Sequence, residues 1–440
     1  MAERGIVVVC PFSTGHLLAE RVQELGFKLV IMNLPNHDSE NEMMNVHIEG
    51  AKVLVASEDT QETIEMLNEL PFQIDHILPG AENGVSLADE LAHAMGLRCN
   101  PIALSNARRN KYLMGETIRQ AGVRSAKQTI CTEWDEVESF LCDWNPDPFK
   151  VIVKPNQSAG SDDVFLCKSL EEVRAAFNSI NGAINEIGEI NEGVLIQEFL
   201  EGIEYVVDSV SLDGEHKVVS IWQYDKREAN GQFNVYFGMS ICEVATEKEQ
   251  ALVEYNSQIL DALEIFNGPS HAEIMWTKTG PCLIEVGSRC HGGHGSWKPI
   301  ANKAFGYNQI DVTLDCYVRP DLFHNLPPYP TNAQHHGKEV FLVSKQAGKI
   351  SDIPGLDLVM KLPSYLSKDI SVKTDDDIHK TIDLFTMPGR VQLLHESKAQ
   401  VDIDYELIHA ILAEGRMFEL CTLDKQHQAL EGPEAEEVAQ

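Results

Sequence analysis

The first hundred residues alternate short apolar runs with amphipathic stretches, and that alternation restricts the chain more than any other feature. Residues 6–10 (Ile-Val-Val-Val-Cys) are apolar at every position, the pattern of a strand covered on both faces. Further runs at 28–34, 53–55 and 74–78 read as strands. The stretches at 17–25, 59–70 and 85–95 read as helices, the first closed by Gly26 and the last by Gly96. Such alternation predicts a parallel sheet sheathed by helices. The turn after the first strand, Pro11 to His16, lacks the G-x-G-x-x-G spacing of a dinucleotide fold. This region therefore reads as a structural domain, whose edge residues Ser13 to Gly15 could still touch a substrate.

Beyond residue 100 the pattern changes. Ser105 is placed to cap a helix running to Gln120 and ended by Gly122. From about 151 to 286 strands pair through short turns, with helices at 171–180 and 247–266. A proline-rich stretch at 326–330 marks a second boundary, after which strands at 339–343 and 358–362 and a helix at 375–385 are expected. The fold class is α/β and α+β. We expect an N-terminal parallel α/β domain at 1–104 and a central domain at 105–325, in two lobes of about 105–196 and 197–325. A small C-terminal α+β domain at 326–423 and a disordered, acidic tail at 424–440 complete the chain, as 440 residues allow.

Charge narrows the partners. Lys plus Arg total 35 against 68 Asp plus Glu, a formal net charge of −33. A field of that sign repels phosphate backbones and anionic lipid, so neither nucleic acid nor membrane is expected as a partner. An anionic substrate must enter through a locally basic or metal-filled pocket. No run approaches the roughly 20 apolar residues of a membrane span, and Pro11 cuts the N-terminal run short of a signal peptide. Ten cysteines without a C-x-x-C pair form neither a disulfide framework nor a zinc ribbon, which fits a reducing, cytoplasmic setting.

Three segments carry chemistry. In 151–167 two apolar strands flank the small residues Ser158, Ala159, Gly160 and Ser161, whose backbone N–H groups can approach phosphate, and Lys154 ends the first strand. No G-K-[ST] follows, so this is not a P-loop; taken alone it is an ordinary hairpin turn. In 194–208 an apolar strand runs into Glu198, Phe199 and Leu200, turns at Glu201-Gly202, and resumes with Glu204, Val206 and Asp208 on one face. Carboxylates bracketing an apolar hinge suit a nucleoside, although Glu201 reads better as a solvated strand edge. In 271–289, turn residues at 277–281 centre a hairpin on Thr279, so Glu273 and Glu285 should oppose each other across the ladder with Cβ atoms about 5 Å apart. Like charges so placed call for a cation between them, and magnesium is the natural candidate. Arg289, four residues on, could reach a transferring phosphoryl group.

In this order, these segments resemble the ATP-grasp superfamily, and within it the carboxylate–amine ligases that include bacterial L-amino-acid ligases. The resemblance spans roughly residues 5–420 and implies an ATP-grasp fold with a pre-ATP-grasp N-terminal domain. It implies that Lys111 and Lys154 contact the nucleotide, with Ser158, Ala159, Gly160 and Ser161 in the loop that closes over the phosphates. Glu198, Phe199 and Leu200 match the adenine hinge and Glu204 the ribose acid. Glu273 and Glu285 match ligands of Mg2+ (or Mn2+), and Arg289 matches the arginine that stabilises phosphoryl transfer and the acyl phosphate. One departure matters: the family's E-x-N-x-R reads Glu285-Val-Gly-Ser-Arg289 here, so Gly287 supplies no side-chain ligand.

Two segments are expected to build the acceptor pocket. Lys226, Arg227 and Asn230 could hold a substrate carboxylate, the alternative being an exposed charged turn. His291, Gly292 and Gly293 follow Arg289 and leave room for a sizeable substrate; His291 and His294 lack the partners of a zinc site. The implied reaction uses ATP to join a small-molecule carboxylate, an amino acid, to an amine through an acyl phosphate, with a homodimer common among relatives. The alternatives are a ligase or carboxylase with another substrate, such as a polyamine or bicarbonate, and a nucleotide-binding module without turnover.

Overall fold

The computed structural model describes residues 3–35, 46–157, 163–185 and 190–421. The expected phosphate loop, Ser158 to Ser161, and the acidic tail lie outside the described residues. The chain divides into two compact units, Met1–Tyr224 with Ile241–Gln334 and Asp225–Ser240 with His335–Gln440.

The first unit opens with four parallel strands, β1 (Arg4–Val9), β2 (Lys28–Asn33), β3 (Lys52–Val55) and β4 (Gln73–Pro79), in the order β3-β2-β1-β4. Ile6, Val7, Val8 and Val9 are fully buried, as the unbroken apolar run required. Helix α1 (Gly15–Glu24) connects β1 to β2, α2 (Thr60–Asn68) connects β3 to β4, and α3 (Val85–Ala94) follows β4. At Gly15 and Gly80 the backbones come so close that a Cβ on Gly15 would lie 2.5 Å from the Gly80 carbonyl oxygen.

The next helix, α4 (Lys111–Gln120), begins five residues later than the sequence suggested. Asn110, not Ser105, is its cap, accepting from the Leu113 N–H. The Ser105 hydroxyl is spent on Asp89, and the buried Arg108 guanidinium binds Asp89 and the carbonyls of Pro101 and Leu263. Those bonds hold 102–108 in short 3-10 turns and delay the helix.

A second sheet combines β5 (Gln128–Cys131), β6 (Val151–Pro155), β7 (Phe165–Cys167) and β8 (Val194–Glu198) in the antiparallel order β5-β8-β6-β7. Helices α5 (Trp134–Trp144) and α6 (Leu170–Ile180) pack on it, joining Val137, Val173, Phe177 and Ile196 in one core. The unit's third layer is built on β9 (Gly202–Leu212), which pairs antiparallel with β10 (Glu215–Ala229) on one side. On the other side it pairs with β12 (Gly268–Thr277), which in turn pairs with β13 (Gly280–Gly287). Helix α7 (Glu247–Ala262), capped by the reciprocal Thr246/Glu249 pair, covers the layer through Leu252, Ile259 and Leu260. It ends short of residue 266, with Glu264 turned to positive φ.

In the second unit, β11 (Gln232–Cys242) pairs with His336–Phe341, which pairs with Gly389–His395 and through it with Tyr365–Ile370. Helix Lys398–Ala413 buries Val401, Tyr405 and Ile408 against Val340 and Leu393. Two expectations fail here. The run at 358–362 is not a strand, because Gly355–Val359 is a helix and the following residues turn. No helix forms at 375–385. Asp377–Ile378 pairs with Lys349 and Gly348, and the Asp383 carboxylate accepts from the N–H groups of Phe385 and Thr386. Short acidic side chains compete for the backbone in this way and favour turns over helix. No described helix is long and apolar enough to cross a membrane.

Candidate active site

The β12–β13 hairpin pairs from Thr277 and Gly280, so its turn is centred between Lys278 and Thr279 rather than on Thr279 as the sequence suggested, and a β-bulge between Glu273 and Ile274 then shifts the register by one. Glu273 lies directly opposite Glu285, and the next row on that face sets His271 opposite Gly287. On the other side of β12, Val206 and Asp208 of β9 face Glu273 and His271. Two rows therefore run across three strands, Val206–Glu273–Glu285 and Asp208–His271–Gly287, with alternation putting both on one face.

Opposed carboxylates need cations, and the fold supplies them. The Lys111 Nζ is 2.8 Å from the Glu285 Oε2, and the His271 Nε2 is 3.7 Å from the Glu273 Oε1. Lys111 reaches this place because α4 starts over the end of β6. Its N–H bonds the Asn156 carbonyl at 3.3 Å, and the Tyr112 N–H bonds the Asn156 side chain at 3.0 Å. Lys154, one strand residue before Pro155, is only 5% exposed. Burial pushes its ammonium down to about 8, with Lys111 acting the same way, while Glu285, Glu273 and Glu204 oppose the shift. A buried cation beside two carboxylates and another lysine suits a polyanion. The donor set of Glu273 and Glu285, two opposed carboxylates next to cations, also fits a hard divalent ion.

Arg289 follows β13 and donates to the Cys290 carbonyl at 3.1 Å. Its Nε lies 3.0 Å from Oε2 of Glu82, in the turn after β4, and the Arg109 Nε stands 3.9 Å from the other Glu82 oxygen. Gly287 makes this approach feasible: a Cβ there would lie 2.6 Å from that same Glu82 Oε2. The missing side chain at 287 is thus matched by a carboxylate arriving from the first sheet.

Beneath the rows lies a buried polar knot. Asp208, fully buried, accepts from the His271 Nδ1 at 2.8 Å and the His291 Nδ1 at 3.0 Å. It also accepts from the Ser220 hydroxyl at 2.8 Å and the Trp222 indole at 3.0 Å. Burial alone would raise its pKa, but the charge of His291 and the hydrogen bond from His271 outweigh it, and the carboxyl sits below the usual carboxylate range. Burial lowers His291. For His271 burial acts the same way but loses to the bonds with Asp208 and Glu273, so its pKa is raised.

The remaining predicted residues divide. At the hinge, Glu198 turns its carboxylate to the Lys127 N–H, Lys150 sits 5.4 Å over the Phe199 ring, Leu200 packs with Ala126 and Cys282, and Glu204 is buried opposite Met275. His291 is buried with its ring on Asp208, and Gly292 accepts from the Thr14 hydroxyl at 2.8 Å, while the His294 N–H donates to Ser13 at 3.2 Å. The first-strand turn thus touches the loop after Arg289. Lys226, Arg227 and Asn230 belong to the second unit. There Lys226 stands 4.0 Å over Tyr236, Arg227 pairs with Asp225 and Glu406, and Asn230 donates to the carbonyls of Ser344 and Thr381.

Sequence reasoning missed Glu82, Arg109 and the Asp208–His271–His291 knot. An Asp inside an apolar strand, and a His two residues before Glu273, were the available signals for the knot; nothing in Ala81-Glu-Asn-Gly84 marks Glu82.

The family described as the ATP-grasp domain matches residues 147–298. Among curated proteins the chain is similar to dapdiamide A synthase of Enterobacter agglomerans, 32% identical over 403 residues that cover 90% of this chain and 92% of that one. It is also similar to the L-arginine-specific L-amino acid ligase of Bacillus subtilis, 25% identical over 259 residues, 59% of this chain and 60% of that one. Among solved structures, an L-amino acid ligase from Bacillus licheniformis matches with a TM-score of 0.73 at 19% identity, covering 96% of this chain and all 100% of that one. A carboxyaminoimidazole ribonucleotide synthase from Aspergillus clavatus, complexed with ATP, matches with a TM-score of 0.67 at 15% identity, over 93% of this chain and 99% of that one. Likenesses at such identity establish the fold.

Proposed function

The chain belongs to the ATP-grasp carboxylate–amine ligases, and on that premise we propose that it joins two amino acids, cleaving ATP to ADP and phosphate. The observation that carries this reading is the opposed Glu273–Glu285 pair, with Lys111, Lys154 and Arg289 supplied to the same unit.

In this reading Lys154 and Lys111 hold the phosphates of ATP, with the hinge at Glu198, Phe199 and Leu200 on the adenine and Glu204 on the ribose. Ser158, Ala159, Gly160 and Ser161 cover the phosphates. Glu273 and Glu285 hold magnesium, which when bound offsets phosphate charge and aligns the γ-phosphoryl group. A substrate carboxylate oxygen attacks the γ-phosphorus as the bond to the ADP oxygen breaks, giving an acyl phosphate. The second amine attacks the acyl carbon, Arg289 stabilises the oxyanion, and phosphate leaves with the C–O electron pair as the nitrogen loses its proton. Glu82 beside Arg289 supports an amino acid as the activated acid, since a cation and an anion 3.0 Å apart complement a zwitterion. His291, Gly292 and Gly293 border that place. Residues 1–104, 105–325 and 326–423 serve as the N-terminal, nucleotide-clamping and C-terminal domains. A net charge of −33 and a need for ATP suit the cytoplasm.

The test is phosphate release from Mg-ATP with pooled amino acids, followed by mass spectrometry. Release that needs two amino acids, with a product of their summed mass less water, supports the reading. Release with bicarbonate, or with one amino acid and no condensed product, overturns it.

A further inference from the structure

Position 287 offers no ligand, and Glu82 fills the space in which a side chain there would start. The carboxylate pair therefore has one side of its row without a donor from β13. Directly across the ladder from Gly287, on the same face and one row from Glu273, stands His271. Its Nδ1 is 2.8 Å from the Asp208 Oδ1 and its Nε2 is 3.7 Å from the Glu273 Oε1.

Asp208 decides which ring nitrogen carries the proton. The carboxylate also receives donors from Ser220, Trp222 and His291, so it acts as an acceptor only. His271 donates to it from Nδ1, which holds Nε2 on the Glu273 side, where a bound cation would take the place of any proton on that nitrogen. A carboxylate that fixes a histidine through one nitrogen and presents the other is the usual support of a metal-binding imidazole. Cation–ligand bonds of about 2.1 Å put neighbouring donor atoms roughly 3 to 3.6 Å apart, close to the spacing seen between Nε2 and the Glu273 oxygen.

Asp208, His271 and His291 also present ligand atoms within 4.8 Å of one another, but an ion among those three would have to displace the donors that already fill Asp208. At the carboxylate pair an ion would take the place of the Lys111 ammonium on Glu285, exchanging one cation for another.

We propose that His271 is a third protein ligand, through Nε2, of the cation held by Glu273 and Glu285, with Asp208 as its orienting carboxylate. This rests on the reading of Glu273 and Glu285 as cation ligands. A nitrogen in the donor set favours manganese over magnesium relative to an all-oxygen site, because imidazole suits transition metals and magnesium prefers oxygen. The centre is accordingly selective for Mn2+ in the presence of nucleotide.

The experiment is Mn2+ and Mg2+ binding to the full chain with ADP, which does not turn over. Calorimetry gives the affinities, and pulsed electron paramagnetic resonance reads nitrogen coupling to bound Mn2+. The wild type should bind Mn2+ at least about tenfold more tightly than Mg2+ and show an imidazole nitrogen coupling that changes on 15N-histidine labelling. His271→Asn, which retains a donor to Asp208 near Nδ1 but lacks Nε2, should lose the coupling and most of the Mn2+ preference, while metal-free ADP binding persists. His271→Gln, which reaches the Nε2 place with an oxygen, should restore Mg2+ binding more than Mn2+ binding. An unchanged Mn2+ to Mg2+ ratio in His271→Asn, or no histidine coupling in the wild type, overturns the proposal; the second measurement needs no variant to fold. Loss of both metals in Glu285→Gln with failure of these histidine effects refutes the ligand role alone. Undiminished metal binding in Glu273→Gln and Glu285→Gln refutes the carboxylate reading as well.

Discussion

Glu82 and Arg289 form an ion pair of 3.0 Å that joins the turn after the fourth strand to the residue that leaves the β12–β13 hairpin. Because the pair needs the space above Gly287, the three positions act together. Gly287→Asn should collide with Glu82 and destabilise the fold by about 1–3 kcal/mol, the usual cost of overpacking. Removing the obstacle in a Glu82→Ala/Gly287→Asn double variant should recover most of the loss in urea denaturation. Simple additivity of the two changes would show that the positions do not meet.

Glu82→Gln tests the same pair through kinetics. If Glu82 receives the ammonium group of the activated amino acid, kcat/KM for that substrate should fall by about 10- to 100-fold, the range of a charge-assisted hydrogen bond. The affinity for ATP should remain. A loss confined to ATP would place Glu82 elsewhere in the cycle.

Arg289→Ala should lower kcat by roughly 100- to 1,000-fold, as loss of a preorganised charge at a developing oxyanion does. Circular dichroism and the melting temperature should stay near those of the wild type. Activity within threefold of wild type would remove Arg289 from the transfer step.

The proposed role of Lys154 at the phosphates makes nucleotide binding depend on pH. Its ammonium titrates near 8 in the fold, against about 10.4 in an unfolded chain. Between those values the unfolded state holds more protons, so stability should rise with pH across that window; below it the full cost of the buried charge is present, roughly 3 kcal/mol. Lys154→Met should therefore stabilise the ligand-free protein at pH 7 while removing most of the protection that ATP gives against thermal unfolding. The phosphates favour the charged lysine, so ATP binding just above pH 8 should take up protons. Calorimetry in buffers of differing ionisation heat reads this directly, and zero uptake would contradict the assignment of Lys154 to the phosphates.

Asp208→Asn should cost about 3–5 kcal/mol, because an amide turns a donor towards at least one of four donors already aimed at a fully buried carboxylate. Chemical denaturation checks the size. A cost under 1 kcal/mol would mean that the knot rearranges freely.

Much of this site was legible before any coordinates. Turn residues at 277–281 mark the hairpin, and Glu273 does stand across from Glu285, but the turn is centred between Lys278 and Thr279 and a bulge beside Glu273, which no local pattern announced, sets the two acids opposite each other. The parallel sheet followed from the unbroken apolar runs of its strands. Reading failed where a polar side chain chose between two uses. Ser105 looks like a cap until Asp89 claims its hydroxyl, and 375–385 has helical spacing until Asp383 closes a turn. Glu82 was hidden for another reason, since its role depends on a glycine two hundred residues away. Local pattern cannot register that dependence.

The bonds from Asn156 to the first N–H groups of α4 have a consequence for how nucleotide arrives. They fasten the helix that carries Lys111 to the strand that carries Lys154, so the two cations travel as one piece. An entry route that required them to separate would first have to break the start of the helix. With the phosphates on these two lysines, as proposed, that end of the site is a fixed seat at the moment of encounter, and the ordering cost of binding falls on the parts of the enzyme that meet the nucleotide afterwards.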